Sequence, residues 1–178
     1  MSRLLPILLL GLLVFSGCPR DEPEDDFLIT SDLYGTWAVD RFDSEFTTTG
    51  TFLGEDVDQS GSSQISSSAL EMTLRQDGSW SSTGDYDLSI TTEDGTEVTQ
   101  QQGIGQGSWT FSQDTLYLDG LQNYNGVGNF SLAQPLVVTD FERDLRTDLS
   151  TQTDETEEDV DFGTELRVRS DWDIRIVR

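Results

Sequence analysis

The chain has no histidine, no lysine and a single cysteine. Those absences remove most of the usual enzyme chemistry. Ser-His-Asp, Cys-His and Ser-Lys catalysis each need a base that this sequence does not contain. Schiff-base chemistry needs a lysine, and the common zinc and copper sites need imidazole or thiolate ligands. Neither a phosphate loop nor a dinucleotide fingerprint occurs. Carboxylates, hydroxyls and arginine remain. Paired carboxylates can hydrolyse glycosides, but among 34 acidic residues some pair always falls at a suitable distance. The acidic run from Asp154 to Asp161 lacks the spacing of a calcium-binding EF-hand loop and reads as solvated charge. The expectation is a non-catalytic protein with no cofactor and no metal.

Positive charge is equally scarce. Ten arginines against 34 acids give a net charge of −24. Such a surface repels nucleic acid and anionic headgroups, and it destabilises its own compact state unless salt screens it. Long hydrophobic runs are scarce too. Leu4 to Phe15, behind Arg3, is too short to span a bilayer comfortably and has the build of a signal h-region. It ends in Val14-Phe15-Ser16-Gly17-Cys18, which resembles a bacterial lipobox with Phe15 in place of the usual Leu. That resemblance implies cleavage behind Gly17 and diacylation of Cys18, each buried methylene contributing ~0.8 kcal/mol to anchoring. It also implies three parts: a signal peptide over 1–17, an acidic tether over 18–30, and a folded domain over 31–178. Pro19 in the place of an inner-membrane retention signal implies the outer membrane of a diderm bacterium, with the domain facing periplasm or exterior. The mature chain would keep 161 residues (178 minus 17) and a charge of −25 (nine arginines minus 34 acids). That is enough for one domain with a core, and no disulfide can support it.

Between Leu70 and Ile104 apolar residues alternate with polar ones at the period of a half-buried strand. Leu70, Met72, Leu74, Trp80, Tyr86, Leu88 and Ile90 all sit at even positions. A three-residue turn over Gln76-Asp77-Gly78 pairs Leu74 with Trp80, with Gly78 in the left-handed position. The same device at Glu93-Asp94-Gly95 would pair Ile90 with Val98. Further along, Phe111 pairs with Leu116 and Trp109 with Leu118. Pro135 limits its strand to an edge or a break. The final segment carries Leu166, Val168, Trp172, Ile174 and Ile176 on one face. Gly54 to Ser68 and Thr151 to Glu165 read as long polar loops. No helical periodicity follows the signal. The fold class is all-β: an antiparallel up-and-down meander of eight to ten strands closing into a barrel.

Gly35-Thr36-Trp37, opening the first strand, is similar to the Gly-x-Trp signature of lipocalins. Asp77-Gly78-Ser79-Trp80, Gly107-Ser108-Trp109, Thr115-Leu116-Tyr117-Leu118 and Thr139-Asp140-Phe141 follow in matching order. Leu33 to Arg178 therefore resembles the bacterial lipocalin-like lipoproteins. The resemblance implies that Gly35 and Trp37 close the narrow end. It also implies that one of Arg167, Arg169, Arg175 and Arg178 packs across the Trp37 ring, a contact of ~0.5–2 kcal/mol.

Two functions remain open. By the strand-pairing sums, Gln100 and Gln102 share an inward face with Tyr86, Leu88 and Val98, and apolar walls with a few amides suit a small apolar or amphipathic ligand. Alternatively, Trp37, Met72, Trp80, Trp109 and Trp172 fill the barrel, which then presents its loops to another envelope protein.

Overall fold

The computed structural model describes residues 28–122, 133–159 and 163–178. Among these residues a 3-10 turn, Thr30–Leu33, leads into eleven strands: β1 Gly35–Phe52, β2 Glu55–Ser66, β3 Glu71–Leu74, β4 Ser79–Thr83, β5 Asp85–Thr92, β6 Gly95–Gln102, β7 Gln106–Ser112, β8 Thr115–Leu118, β9 Gln134–Glu142, β10 Arg146–Asp159 and β11 Thr164–Val177. All form one antiparallel sheet, and pairing of β11 with β1 closes it. The ring runs through eight of them: β1, β3, β4, β7, β8, β9, β10 and β11. This is the all-β antiparallel barrel expected of the alternating pattern, and it is consistent with the lipocalin-like barrel that the resemblance implies.

The other three strands are continuations. The lower part of β1 pairs with β3 and its upper part with β2, while β2 pairs with β5 and β5 with β6. Thus β2–β3, β4–β5 and β6–β7 are three long strands, each broken once. The breaks lie side by side and bond across: Ala69 N–H donates to Asp85 O, Gly103 N–H to Gly84 O, and Ser82 N–H to Gly105 O. Gly84 has φ +102°, and a Cβ there would sit 2.0 Å from Ala69 O. Below this crease the barrel is closed. Above it the sheet reads β6-β5-β2-β1-β11-β10 and, among the described residues, stays open.

Leu74 pairs with Trp80, Phe111 with Leu116 and Trp109 with Leu118, as the parity requires. Pro135 pairs with Tyr117 of β8, whereas the β9–β10 ladder stops at Val137 and Ser150. The strand is edge-like at its proline.

Three expectations are corrected. Residues of the presumed loop from Gly54 to Ser68 form β2 through Ser66, held by β1 and β5 on its two sides. The presumed loop from Thr151 to Glu165 is instead upper β10, through Asp159, and the start of β11 at Thr164. Finally, β5 and β6 join by a two-residue turn, so Thr92 pairs with Gly95, Ile90 with Glu97 and Ser89 with Val98. Hydroxyls pin that turn: Thr92 Oγ1 accepts from the Asp94 amide at 3.3 Å, and the Thr91 and Thr96 hydroxyls meet at 2.9 Å. A slip of one residue sends every side chain of β6 to the opposite face.

Candidate functional site

Sequence reasoning places a site inside the barrel, and the interior is occupied by side chains. Trp37, Trp80, Trp109 and Trp172 are all buried, in one cluster with Phe42, Met72, Tyr86, Leu88, Leu116 and Ile176. Three of the indoles are also pinned at their polar edge. Trp37 Nε1 donates to Leu33 O at 2.9 Å, Trp80 Nε1 to Asp119 O at 2.7 Å, and Trp109 Nε1 to Arg75 O at 2.9 Å. A buried Trp whose N–H is satisfied holds one orientation. Phe42 packs on Trp172 with centroids 5.0 Å apart, and Tyr34 meets Trp109 edge-on at 5.8 Å.

Trp37 and Arg178 stack at the end of the barrel where β1 begins. Trp37 is fully buried, and the Arg178 guanidinium lies 4.3 Å from its ring centroid. Arg178 also donates to Asp32 O at 2.9 Å and Tyr34 O at 2.8 Å, and pairs with Asp144 at 2.6 Å. Of the four arginines open in the sequence, the last one covers the ring. Gly35, at φ +124°, lies beneath it: a Cβ there would come 3.8 Å from Arg178 Nη2.

Tyr86 and Leu88 point into the core, where the Tyr86 hydroxyl donates to Gly103 O at 3.2 Å. Gln100 and Gln102 do not join them. The β5–β6 register turns both outward, and the inward partners of Tyr86 and Leu88 are Gln101 and Thr99. Val98, also assigned inward by the parity sums, is 60% exposed. Cys18 lies outside the described residues.

Five hollows among the described residues are not lined by Trp37, Met72, Trp80 or Trp109, whereas Trp172 borders one of about 530 Å3 together with Pro135, Val137, Thr151 and Gln152. Gln102 borders one of them, a groove of about 400 Å3 at the crease, with Ser82, Gly103, Gly105, Gln106, Gly120 and Gln122. Sequence reasoning missed this groove because its residues come from three separate stretches of the chain. Ser82 Oγ is already committed there: it donates to Gly105 O at 2.7 Å and accepts from the Ile104 and Gly105 amides at 2.7 and 3.0 Å.

Two carboxyls are pushed above the usual range, Asp43 and Glu155, each chiefly by burial; Arg41 partly offsets the effect at Asp43 and Asp173 adds to it. They do not form a dyad. Asp43 pairs with Asp173 on the outward face, whereas Glu155 shares a row with Val168 and Thr48 on the inward one. Outside the barrel, Asp148 is almost buried and takes two bonds from Arg175, at 2.6 and 3.0 Å, with Arg146 at 3.7 Å and Arg41 at 3.9 Å. The Arg175 bonds, against a desolvation penalty, hold its carboxyl below the usual range. Bonds from Arg167 and Arg169 hold exposed Asp154 lower still, at about 2.

No model of a known protein family matches this chain, and no curated protein sequence matches it either.

Proposed function

We propose that this protein is a lipid-anchored, non-catalytic interaction module of a bacterial envelope, whose barrel is a rigid body that presents loops to another protein. One observation carries the reading. Four tryptophans and their neighbours occupy the interior as a continuous core, and a barrel that captures a ligand needs a few hundred cubic ångströms of room within it.

Anchoring would proceed through Cys18 after cleavage behind Gly17. Nine residues, 19–27, separate that cysteine from Leu28, a reach of at most ~30 Å. The chain enters the barrel at the closed end, beside Trp37 and Arg178, so an anchored molecule would hold that end near the membrane and the open sheet away from it. The outer membrane of a diderm cell fits Pro19. The test is native mass spectrometry of the untagged, delipidated domain. The expected spectrum is that of the bare chain. A stoichiometric apolar molecule that survives desalting would restore the ligand-capture reading. For the anchor, radiolabelled palmitate should enter the wild type and not Cys18→Ala, and a wild type without label would remove the lipid.

A further inference from the structure

The upper end of β1 carries two features that do not suit an inert hairpin. Phe52 and Leu53 are 50% and 59% exposed, side by side at the apex. Leu53 is also held at φ +52°, followed by Gly54 at φ +86°. Two consecutive residues at positive φ make the tight hairpin turn that Asn-Gly fills at least cost. A bulky side chain is strained there. Among the described residues, the other non-glycine residues at positive φ are Ser67, Gln113, Asp114 and Asp144, all polar. So the one apolar residue in this conformation is also among the most exposed apolar side chains. Stability explains neither its conformation nor its exposure, since asparagine would improve both.

The tip is braced. Gly54 N–H donates to Gly163 O at 3.3 Å, and the Leu53 amide lies 3.5 Å from Thr164 Oγ1, so the β10–β11 hairpin holds it in place. It stands at the end of an 18-residue strand that begins at Trp37's closed end, roughly 50–55 Å away at ~3.3 Å per residue. Exposed acids ring it: Glu55, Asp56 and Glu165.

We propose that Phe52 and Leu53 form a preorganised apolar fingertip that seats in a socket of another envelope protein, one whose rim carries lysine or arginine. The inference rests on the interaction-module reading and names its contact surface. Charge selects the occupant. Anionic lipid would be repelled by the acidic ring. A second copy would set acid against acid, and among the described residues every arginine but Arg75, which bonds Ser81, already faces Asp32, Asp140, Asp144, Asp148 or Asp154. A partner with a basic rim meets the acids and covers the two apolar side chains.

The test places benzoylphenylalanine at position 52 of the full-length protein in the cells that make it, with Tyr117 and Leu145 as control positions. A protein crosslinked from 52 is purified, and its affinity for the full chain is measured. The fingertip requires that Phe52→Ser with Leu53→Asn weakens binding at least tenfold, that added salt also weakens it, and that Leu53→Asn alone leaves the thermal midpoint equal or higher. Unchanged affinity, a Leu53→Asn variant of lower midpoint, or a crosslink from 52 to lipid or to a second copy would each overturn it. Protein crosslinks from 117 or 145 only would sink the fingertip and leave the interaction module standing. Silence at all three positions would count against both.

Discussion

Arg178 joins the last residue of the chain to the first turn and to the first strand. Its cation–π contact with Trp37 is worth about 0.5–2 kcal/mol, and its two bonds to backbone carbonyls, part-exposed to water, add about 1 kcal/mol each. Arg178→Ala should therefore lower stability by about 2–3 kcal/mol in urea unfolding followed by tryptophan emission. Arg178→Lys should recover less than half, since lysine cannot lie flat on the ring while reaching both carbonyls. A loss below ~0.5 kcal/mol would mean that Trp37 plugs the barrel unaided. Asp148 and Asp154 make a second residue-scale contrast. Both carboxyls are held low by arginine, yet Asp148 has a side-chain exposure of 10% and Asp154 of 45%. Removing one partner of a nearly buried ion pair strands the others in low dielectric, so Asp148→Ala should cost about 2–3 kcal/mol. Asp154→Ala should leave the unfolding midpoint within scatter, because water already screens its bonds. If the two variants behave alike, burial is not what decides the worth of these pairs.

At the scale of elements, the lower barrel was legible because apolar residues on one parity, Trp80 opposite Leu74 and Trp109 opposite Leu118, can only be buried together. Of the upper sheet, β5 and β11 were legible likewise, but β2 and the upper part of β10 were not. The inward rows there carry Ser44, Thr48, Ser63 and Ser170, hydroxyl residues that are nonetheless buried. Ser44 Oγ and Ser63 Oγ bond each other at 2.8 Å, so a polar residue sits inward at little cost and the alternation vanishes from the sequence. The same blindness moved Gln100 and Gln102 to the wrong face, since threonine hydroxyls and not apolar pairing fix the β5–β6 turn. The fingertip escaped notice because a left-handed Leu has no sequence signature. The crease was equally hidden, because no single glycine announces three aligned breaks. Gly84 is the sharpest of them, with Ala69 O 2.0 Å from a would-be Cβ. Gly84→Ala must move a bonded strand and should cost about 2–4 kcal/mol. Gly54→Ala, with no atom within 4 Å, should suffer only the ~1 kcal/mol of its backbone conformation. Equal losses would show that the crease is not packed.

Charge acts on the whole molecule. With ten arginines against 34 acids, most carboxylates have no cation to offset them. Their repulsion opposes the compact state at neutral pH and is relieved by salt within a Debye length of ~10 Å at 0.1 M. Acid works in two opposed ways. Asp43 and Glu155 have folded pKa values above their unfolded ones, so folding takes up protons there, and lowering the pH from 7 through their titration stabilises the fold. Asp148 has a folded value below its unfolded one, as do exposed Asp154 and Asp77, whose shares solvent screening leaves small. What they contribute is fully present above the unfolded aspartate value of ~3.9 and is lost as pH falls through the lower folded values. The thermal midpoint should thus rise from pH 7 to about pH 5, pass a maximum, and fall below about pH 4. At pH 7, raising sodium chloride from ~0.05 to ~1 M should lift the midpoint, and near the sequence pI of about 4.1 the same salt should do little or reverse sign. Scanning calorimetry over that grid decides the matter. A midpoint that is flat or falls with salt at neutral pH would mean that the acids are spaced widely enough to ignore one another.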